Sequence, residues 1–402
     1  MTQTAQERSK KLAYNIFYLT QDRMTIKMVD AVNGKDSMWA EVELPNFTEG
    51  LLKEEVKAKE LTGKKPLWSI QDSGNIISRP AVYNDLFLVG NLRGEFKARN
   101  IKDGKTEWTF KTGEGILSSP AIENEKVVFG SADSAVYCLN AQNGALNWKL
   151  KTGGEVLASP VIKDGIAYIG SSDFYYRAID LVTGKLLWKS QKLQGFPPGK
   201  PAIANGKLFF GTWENMLYAL NTKDGSTAWS WELTGKSHYY SPAMATHFAY
   251  KNRLYTVAPD EILRTFDANT GEVIDEVEGH RVRESIGGSK EDGLLVAKTM
   301  QDSVLVWDIS SEIPKLKTSL NAEFGYDYSP SDVVFDQNFA FFGTTLGSVY
   351  AIDVQNEKVT WMSNFSGSMV NTPAVLPGNK LLATSVDGQI LLLDYKDHSN
   401  SE

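Results

Sequence analysis

Cysteine is almost missing from this chain of 402 residues. The single Cys138 cannot form an internal disulfide, and in the run AVYCLNA it reads as a buried small residue. That count is compatible with a cytosolic or an extracytoplasmic home. Basic runs are missing too. With a formal net charge of −7, the chain lacks a nucleic-acid footprint, and its acidity is first a matter of solubility. No segment has the apolar length of a membrane span. The opening MTQTAQERSKKLAYNIFY lacks the apolar core of a signal peptide and a cysteine for a lipid anchor. If the natural protein is exported, the expectation is that its targeting segment lies outside this sequence, with a periplasmic or cell-surface destination.

Chemistry-bearing motifs are scarce as well. The four histidines, His238, His247, His280 and His398, show no metal-ligand spacing. The glycines of GNLRGEF lie between two strand-like runs and read as a turn. EGHRVRE reads as an exposed loop. Ser119, Ser159, Ser241 and Ser329 precede prolines at one recurring point of the pattern, as backbone-capping or channel-lining residues, with no G-x-S-x-G elbow. Asp302 and Asp387 fall in turns, where Asp is ordinary. The expectation is a chain with no catalytic residues, no metal and no cofactor.

What the chain does have is a period. Tryptophans stand at 68, 108, 148, 188 and 229, and four of them close the phrases ARNIKDGKTEW, CLNAQNGALNW, AIDLVTGKLLW and ALNTKDGSTAW. A step of about forty residues marks a repeat architecture. A large ring recurring at one register is a plug between repeats. Each unit opens on a Pro-containing run (SRPAV, SSPAI, ASPVI, GKPAI). A turn, a second strand (LFLVG, VVFGS, IAYIG, LFFGT), another turn, a third strand and an Asp/Asn-x-x-x-Gly turn follow, and the fourth strand ends at Trp. Four short strands per repeat make a propeller blade.

Later units drift. SPAM, RLYTVA, EILRTFDANTG and VIDEV form a fifth, with Asp275 where Trp should be. SIGGS, LLVAKT and VLVWDIS form a sixth without the Gly-to-Trp phrase. YSPSDVV, FAFFGT, SVYAIDV and KVTW, ending at Trp361, form a seventh. NTPAV, KLLATS and QILLLDY form an eighth that lacks its fourth strand. The segment KPLWSI around Trp68 has a fourth strand's features and no preceding three. The fold class predicted is therefore all-β, an eight-bladed β-propeller of four-stranded antiparallel blades over 66–396. The N-terminal strand 66–70 closes the last blade and leaves no free sheet edge.

Residues 1–65 precede this array. NIFYL and MTIKMVDA read as a hairpin, VDAVNGKDSMW resembles the repeat phrase with an insertion, and FTEGLLKEEVKAKELTGKK reads as a short helix or linker. A strand pair on the rim, a hairpin left from a preceding domain and a distorted partial repeat remain open readings.

The pattern SPxI … D/N-x-x-[TDN]-G-x-x-x-W resembles the pyrroloquinoline-quinone-like (PQQ-like) propeller repeat over about residues 66–395. That family includes quinoprotein alcohol dehydrogenases and the periplasmic lipoprotein propeller of the outer-membrane barrel-assembly machinery. The resemblance to the enzymes implies quinone and calcium in the central funnel, with a disulfide between adjacent cysteines. One cysteine cannot make that disulfide, and no local cluster argues for a calcium cage. The barrel-assembly branch fits in size and blade count, without its lipidated cysteine. The run YNIFYLTQDRMTIKMVD loosely resembles the closing hairpin of calcineurin-like metallophosphoesterases, whose metal-binding motifs are missing here.

The candidate binding residues come from an asymmetry between blades. The turn joining strands two and three lies on the same face as the link from a fourth strand to the next blade. Most of these turns are small and polar. Blade three instead carries Phe174, Tyr175 and Tyr176, and blade four Trp213, Glu214 and Asn215. The links add Phe196, then His238, Tyr239 and Tyr240, then Phe324, Tyr326 and Tyr328. Strand alternation should turn at least one of Phe174, Tyr175 and Tyr176 inward. Clustered aromatics mark protein or glycan contact. The function expected is a non-catalytic binding scaffold for protein or glycan. The alternatives are an accessory domain of a metallophosphoesterase or a quinone-dependent dehydrogenase.

Overall fold

In a computed structural model, residues 63–396 are described in full, together with the backbone of three strands nearer the N-terminus. The chain divides into two compact units, Met1–Glu60 and Leu61–Glu402. In the first, Ala13–Leu19, Arg23–Asp30 and Asp36–Glu43 form an antiparallel sheet in sequence order. Trp39 falls at a bulge between the pairs Ile26↔Ala40 and Lys27↔Met38, a register unlike that of the blade tryptophans below. The expected helix or linker before 63 and the tail after 396 lie outside the described residues.

The second unit contains eight four-stranded antiparallel sheets. Blade one is typical: Ala81–Tyr83, Leu86–Gly90, Glu95–Asn100 and Thr106–Lys111, from the axis outward. Blades two to seven repeat this order. In blade eight, Ala374–Leu376, Lys380–Thr384 and Gln389–Asp394 receive Trp68–Gln71 as their outer strand, with Leu392 opposite Trp68. The closing strand expected from the sequence is observed. Just before it, Lys64 N–H donates to Met362 O (3.2 Å) and Ser363 Oγ to Lys64 O (3.0 Å), so the chain also clasps blade seven.

The second and third strands alternate little in burial because both faces of a blade are covered by neighbours. The described core divides into eight apolar clusters, one per blade interface. The Trp phrase explains how interfaces form. In the third strands of blades one to four and seven, the residue two before the Asp/Asn turn pairs with the Trp, and a bulge follows, as at Cys138↔Trp148, Ala178↔Trp188 and Ala219↔Trp229. The Trp then reaches the next blade. Trp148 Nε1 donates to Leu181 O (2.9 Å), Trp188 to Thr222 O (2.8 Å) and Trp229 to Ala268 O (3.1 Å). Those carbonyls belong to the next Asp/Asn-x-x-x-Gly turn, whose glycine lies flat on the ring. A Cβ on Gly184 would stand 2.5 Å from Trp148, and one on Gly225 the same distance from Trp188. Both glycines have positive φ, 70° and 73°, which other residues adopt at a cost. Trp and Gly are thus two halves of one joint.

One sequence expectation is corrected. Ser241 and Ser329 do not share the position of Ser119 and Ser159. Pro242–Met244 is a 3-10 turn, and the inner strand of blade five is His247–Tyr250. Ser241 Oγ is buried and donates to Thr212 O, and Ser329 binds Lys298. An insertion before each inner strand shifts the serine off register.

Candidate functional site

The link from an outer strand into the next inner strand runs beside the turn between strands two and three, on one face of the ring. In regular blades an Asp ties the two together. Asp133 accepts from Gly113 N (3.1 Å), and Asp173 from Gly153 N (3.0 Å). Asp387 accepts from Ser366 Oγ (2.9 Å). Burial would raise the Asp173 carboxyl, but Arg177, Ser171 and the Gly153 N–H outweigh it and hold it at about 2.

Blade four lacks this tie. Trp213 and Glu214 occupy its turn, and the link comes close by another route. Trp213 N donates to Phe196 O (3.2 Å), and any Cβ on Gly195 would overlap the Trp213 carbonyl. Phe174, at φ 72°, is 36% exposed and stands edge-on to Phe196 at 6.3 Å, and Phe196 lies 6.4 Å from Trp213. These three residues, from two blades, form one chain of rings. Glu214 beside them is exposed, at φ 80°. Lys192 Nζ sits 5.3 Å over Phe174, and Lys189 Nζ 3.5 Å over the half-buried Tyr175. Tyr176 is the residue that alternation turns inward, fully buried and stacked on Phe210 at 4.3 Å.

The link into blade five carries His238–Tyr240 as a single 3-10 turn capped by Ser237. Asn215 Nδ2 donates to Lys236 O (2.9 Å), so the blade-four turn anchors its base. Tyr239 is 79% exposed, and His238 and Tyr240 are exposed beside it. Tyr326 and Tyr328 form a second exposed pair at 6.1 Å. Among the described residues, no ring contact joins them to the first group. Phe324 lies in the outer strand Lys315–Tyr326 of blade six and is buried, so only Tyr328 of that trio lies in the link.

Sequence reasoning missed Leu346, exposed in the blade-seven turn on the same face. It also missed Lys298, which stands where five other blades have glycine. The Lys298 ammonium is buried and bonded to Asp327, to Ser329 Oγ (2.5 Å) and to the carbonyls of Ser329 (3.1 Å) and Gly343 (3.2 Å). A lone Lys in LLVAKT gives no local sign of this. Of the histidines, His247 is buried and its pKa is lowered to about 4 by desolvation. His398 lies outside the described residues.

The residues do not fit the quinone and calcium of the dehydrogenases. Cys138 is buried in the third strand of blade two, and burial pushes its thiol up to about 11. Among the described residues, no group of three or more His, Cys, Asp or Glu side chains is placed to hold a metal ion, and no helix is long and apolar enough to cross a membrane.

A family model described as outer membrane protein assembly factor BamB matches residues 52–191, 111–238 and 177–280, together more than half of the chain. No curated protein matches. Among solved structures, the computationally designed Ika8 protein is similar at TM-score 0.70 and 18% identity, covering 82% of this chain and 99% of its own. BamB from Moraxella catarrhalis is similar at TM-score 0.65 and 17% identity, covering 83% and 98%. The quinohemoprotein alcohol dehydrogenase ADHIIG from Pseudomonas putida HK5 follows at 0.63 and 13%, covering 83% and 76%. At these identities the likeness is one of fold, which a designed protein and a dehydrogenase share.

Proposed function

The chain belongs to the propeller family described as outer membrane protein assembly factor BamB, and we propose that it is a non-catalytic scaffold that docks a protein partner on its aromatic face. The observation that carries this reading is the group Phe174, Phe196, Trp213 and Tyr239. Large rings stay partly or largely exposed on turns whose backbones are fixed by hydrogen bonds. Rigid, exposed aromatics bind at low entropic cost and are enriched among interface hot spots. The family description supports a partner among proteins of the bacterial outer membrane and a periplasmic setting for this chain. The lysines over the rings, Lys189, Lys192 and Lys236, favour a partner surface with carboxylates at its rim.

The test is the double substitution Trp213→Ala and Tyr239→Ala. A photo-crosslinker at Glu214 should give one discrete protein adduct in outer-membrane extracts. The double variant should lose the adduct while keeping its near-UV spectrum and melting temperature. An undiminished adduct, or unfolding of the variant, overturns the surface reading. Binding to a glycan array without any protein adduct would make glycan the ligand instead.

A further inference from the structure

At the end of each link, just before the inner strand, one residue per blade faces the axis of the ring. Pairing fixes the position as two residues ahead of Ala81, Ala202 and Val334, which pair with Leu88, Phe209 and Phe341. The residues so defined are Arg79 in blade one, Lys200 in blade four and Asp332 in blade seven. Serine or threonine stands in the other five blades. The short hydroxyls are used for structure. Arg79 N donates to Ser119 Oγ and Ser119 N to Ser159 Oγ, each at 2.9 Å, and Asp332 N donates to Thr372 Oγ1 at 2.9 Å. They leave the lumen to the three long or charged side chains.

Those three converge. They come from blades three, three and two apart around the ring, the Thr246 hydroxyl of blade five reaches Asp332 of blade seven across the axis, and the three charges act on one another. Water reaches Lys200 freely and Arg79 in part. Protein nevertheless surrounds both closely enough that desolvation lowers each pKa. Among the described residues, their side chains have no hydrogen-bond and no ion-pair partner. Asp332 takes the Thr246 hydroxyl. The nearby Lys298 is already matched by Asp327, and Glu284 by Arg283 at 3.1 Å. Two cations therefore face a single carboxylate, with donors to spare. Two cations held near one another repel, and a small anion relieves that repulsion through charge-assisted hydrogen bonds.

We propose that the mouth of the central channel binds one small oxyanion, a carboxylate or a phosphate, between Arg79 and Lys200. The site is separate from the aromatic turns and does not depend on what those turns bind. Arg79 offers a planar pair of donors and Lys200 a point charge, which together suit either oxyanion.

Calorimetric titration of the full chain with inorganic phosphate, and separately with succinate, tests the site and tells the two anions apart. Saturable one-site binding of at least one anion is expected. Lys200→Met should weaken it on the order of tenfold, the equivalent of one lost charge-assisted contact, and Lys200→Arg should restore most of it. Asp332→Asn should tighten binding, because it removes the competing carboxylate. No saturable binding of either anion, or equal binding by Lys200→Met and Arg79→Gln, would overturn the proposal. Should Lys200→Met misfold, Lys200→Arg, Arg79→Gln and Asp332→Asn still decide it.

Discussion

Blades one to four are joined differently from blades five to seven. At the joint from blade two to three, Trp148 slides under the turn that ends in Gly184, and from three to four Trp188 does the same at Gly225. From five to six the Trp position holds Asp275, paired with Thr265, and the blade-six turn DISSEIPK has no glycine. From six to seven the position holds Thr318, paired with Val306, and the blade-seven turn has Glu357 at φ 52° where its counterparts have glycine. At these two joints Trp and Gly are lost together, whereas Trp361 of blade seven keeps its bond to the Tyr395 carbonyl (3.1 Å) although the blade-eight turn DYKDH carries no glycine. A seat without its ring would leave a cavity, and at the two altered joints the pair is exchanged as a unit. The vacated interface is filled from the other side: Trp307, in the third strand of blade six, is 1% exposed and lies in the cluster with Tyr255 and Leu263 of blade five.

Replacing the two ring types separately tests that substitution most strongly. Trp148→Ala and Trp307→Ala should each cost about 3–5 kcal/mol, the usual loss for a buried Trp, read as a fall in urea midpoint. Near-equal losses would mean that the two joints are equivalent in strength. A small loss for Trp307→Ala would mean that the irregular half is held otherwise, and the account of a substituted plug would fall. Gly184→Ala comes next, at about 2–4 kcal/mol, combining the cost of a positive φ with a methyl driven into Trp148.

Acid separates the regular turns from the blade-four turn. Asp173 has a carboxyl pKa held at about 2 in the fold against an ordinary value near 3.9. A depressed folded value means that its stabilisation is complete above the unfolded pKa and is lost as pH falls through the folded one. The window runs from about pH 4 down to about pH 2, and linkage sets the contribution at about 2 kcal/mol. Asp173→Asn should remove that amount at pH 7 and flatten the acid limb of the stability curve.

The sequence made this fold legible because the joint is local. Trp, Gly and the turn acid lie within one forty-residue unit, so periodicity exposed the blades, and the orphan Trp68 exposed the closure. The family match ends at residue 280, in the stretch where the Trp phrase has lapsed, to return in part at Trp361. The blade-five inner strand was misjudged because SPAM copies the repeat's opening run while an insertion moves the strand on to His247. The candidate site was legible only as residue types. That Phe174, Phe196 and Trp213 touch depends on two links folding back, and no spacing encodes it. Arg79, Lys200 and Asp332 were invisible for a similar reason: each lies far from the others in sequence, and only the ring brings them to one axis.

The smallest effect is the most discriminating. Glu357→Gly gives blade seven the seat it lacks while blade six still supplies Thr318 and no ring. Relief of a non-glycine residue at positive φ favours the variant, and the greater freedom of glycine in the unfolded chain opposes it. The net should be about 0–1 kcal/mol of stabilisation. If seat and ring act only as a pair, Thr318→Trp alone should destabilise, because Glu357 blocks the ring, and the double variant should recover more than the sum of the two singles. A double-mutant cycle on urea midpoints reads that coupling directly. Additive effects would mean that the glycine serves only its own turn, and that its loss together with Trp is coincidence.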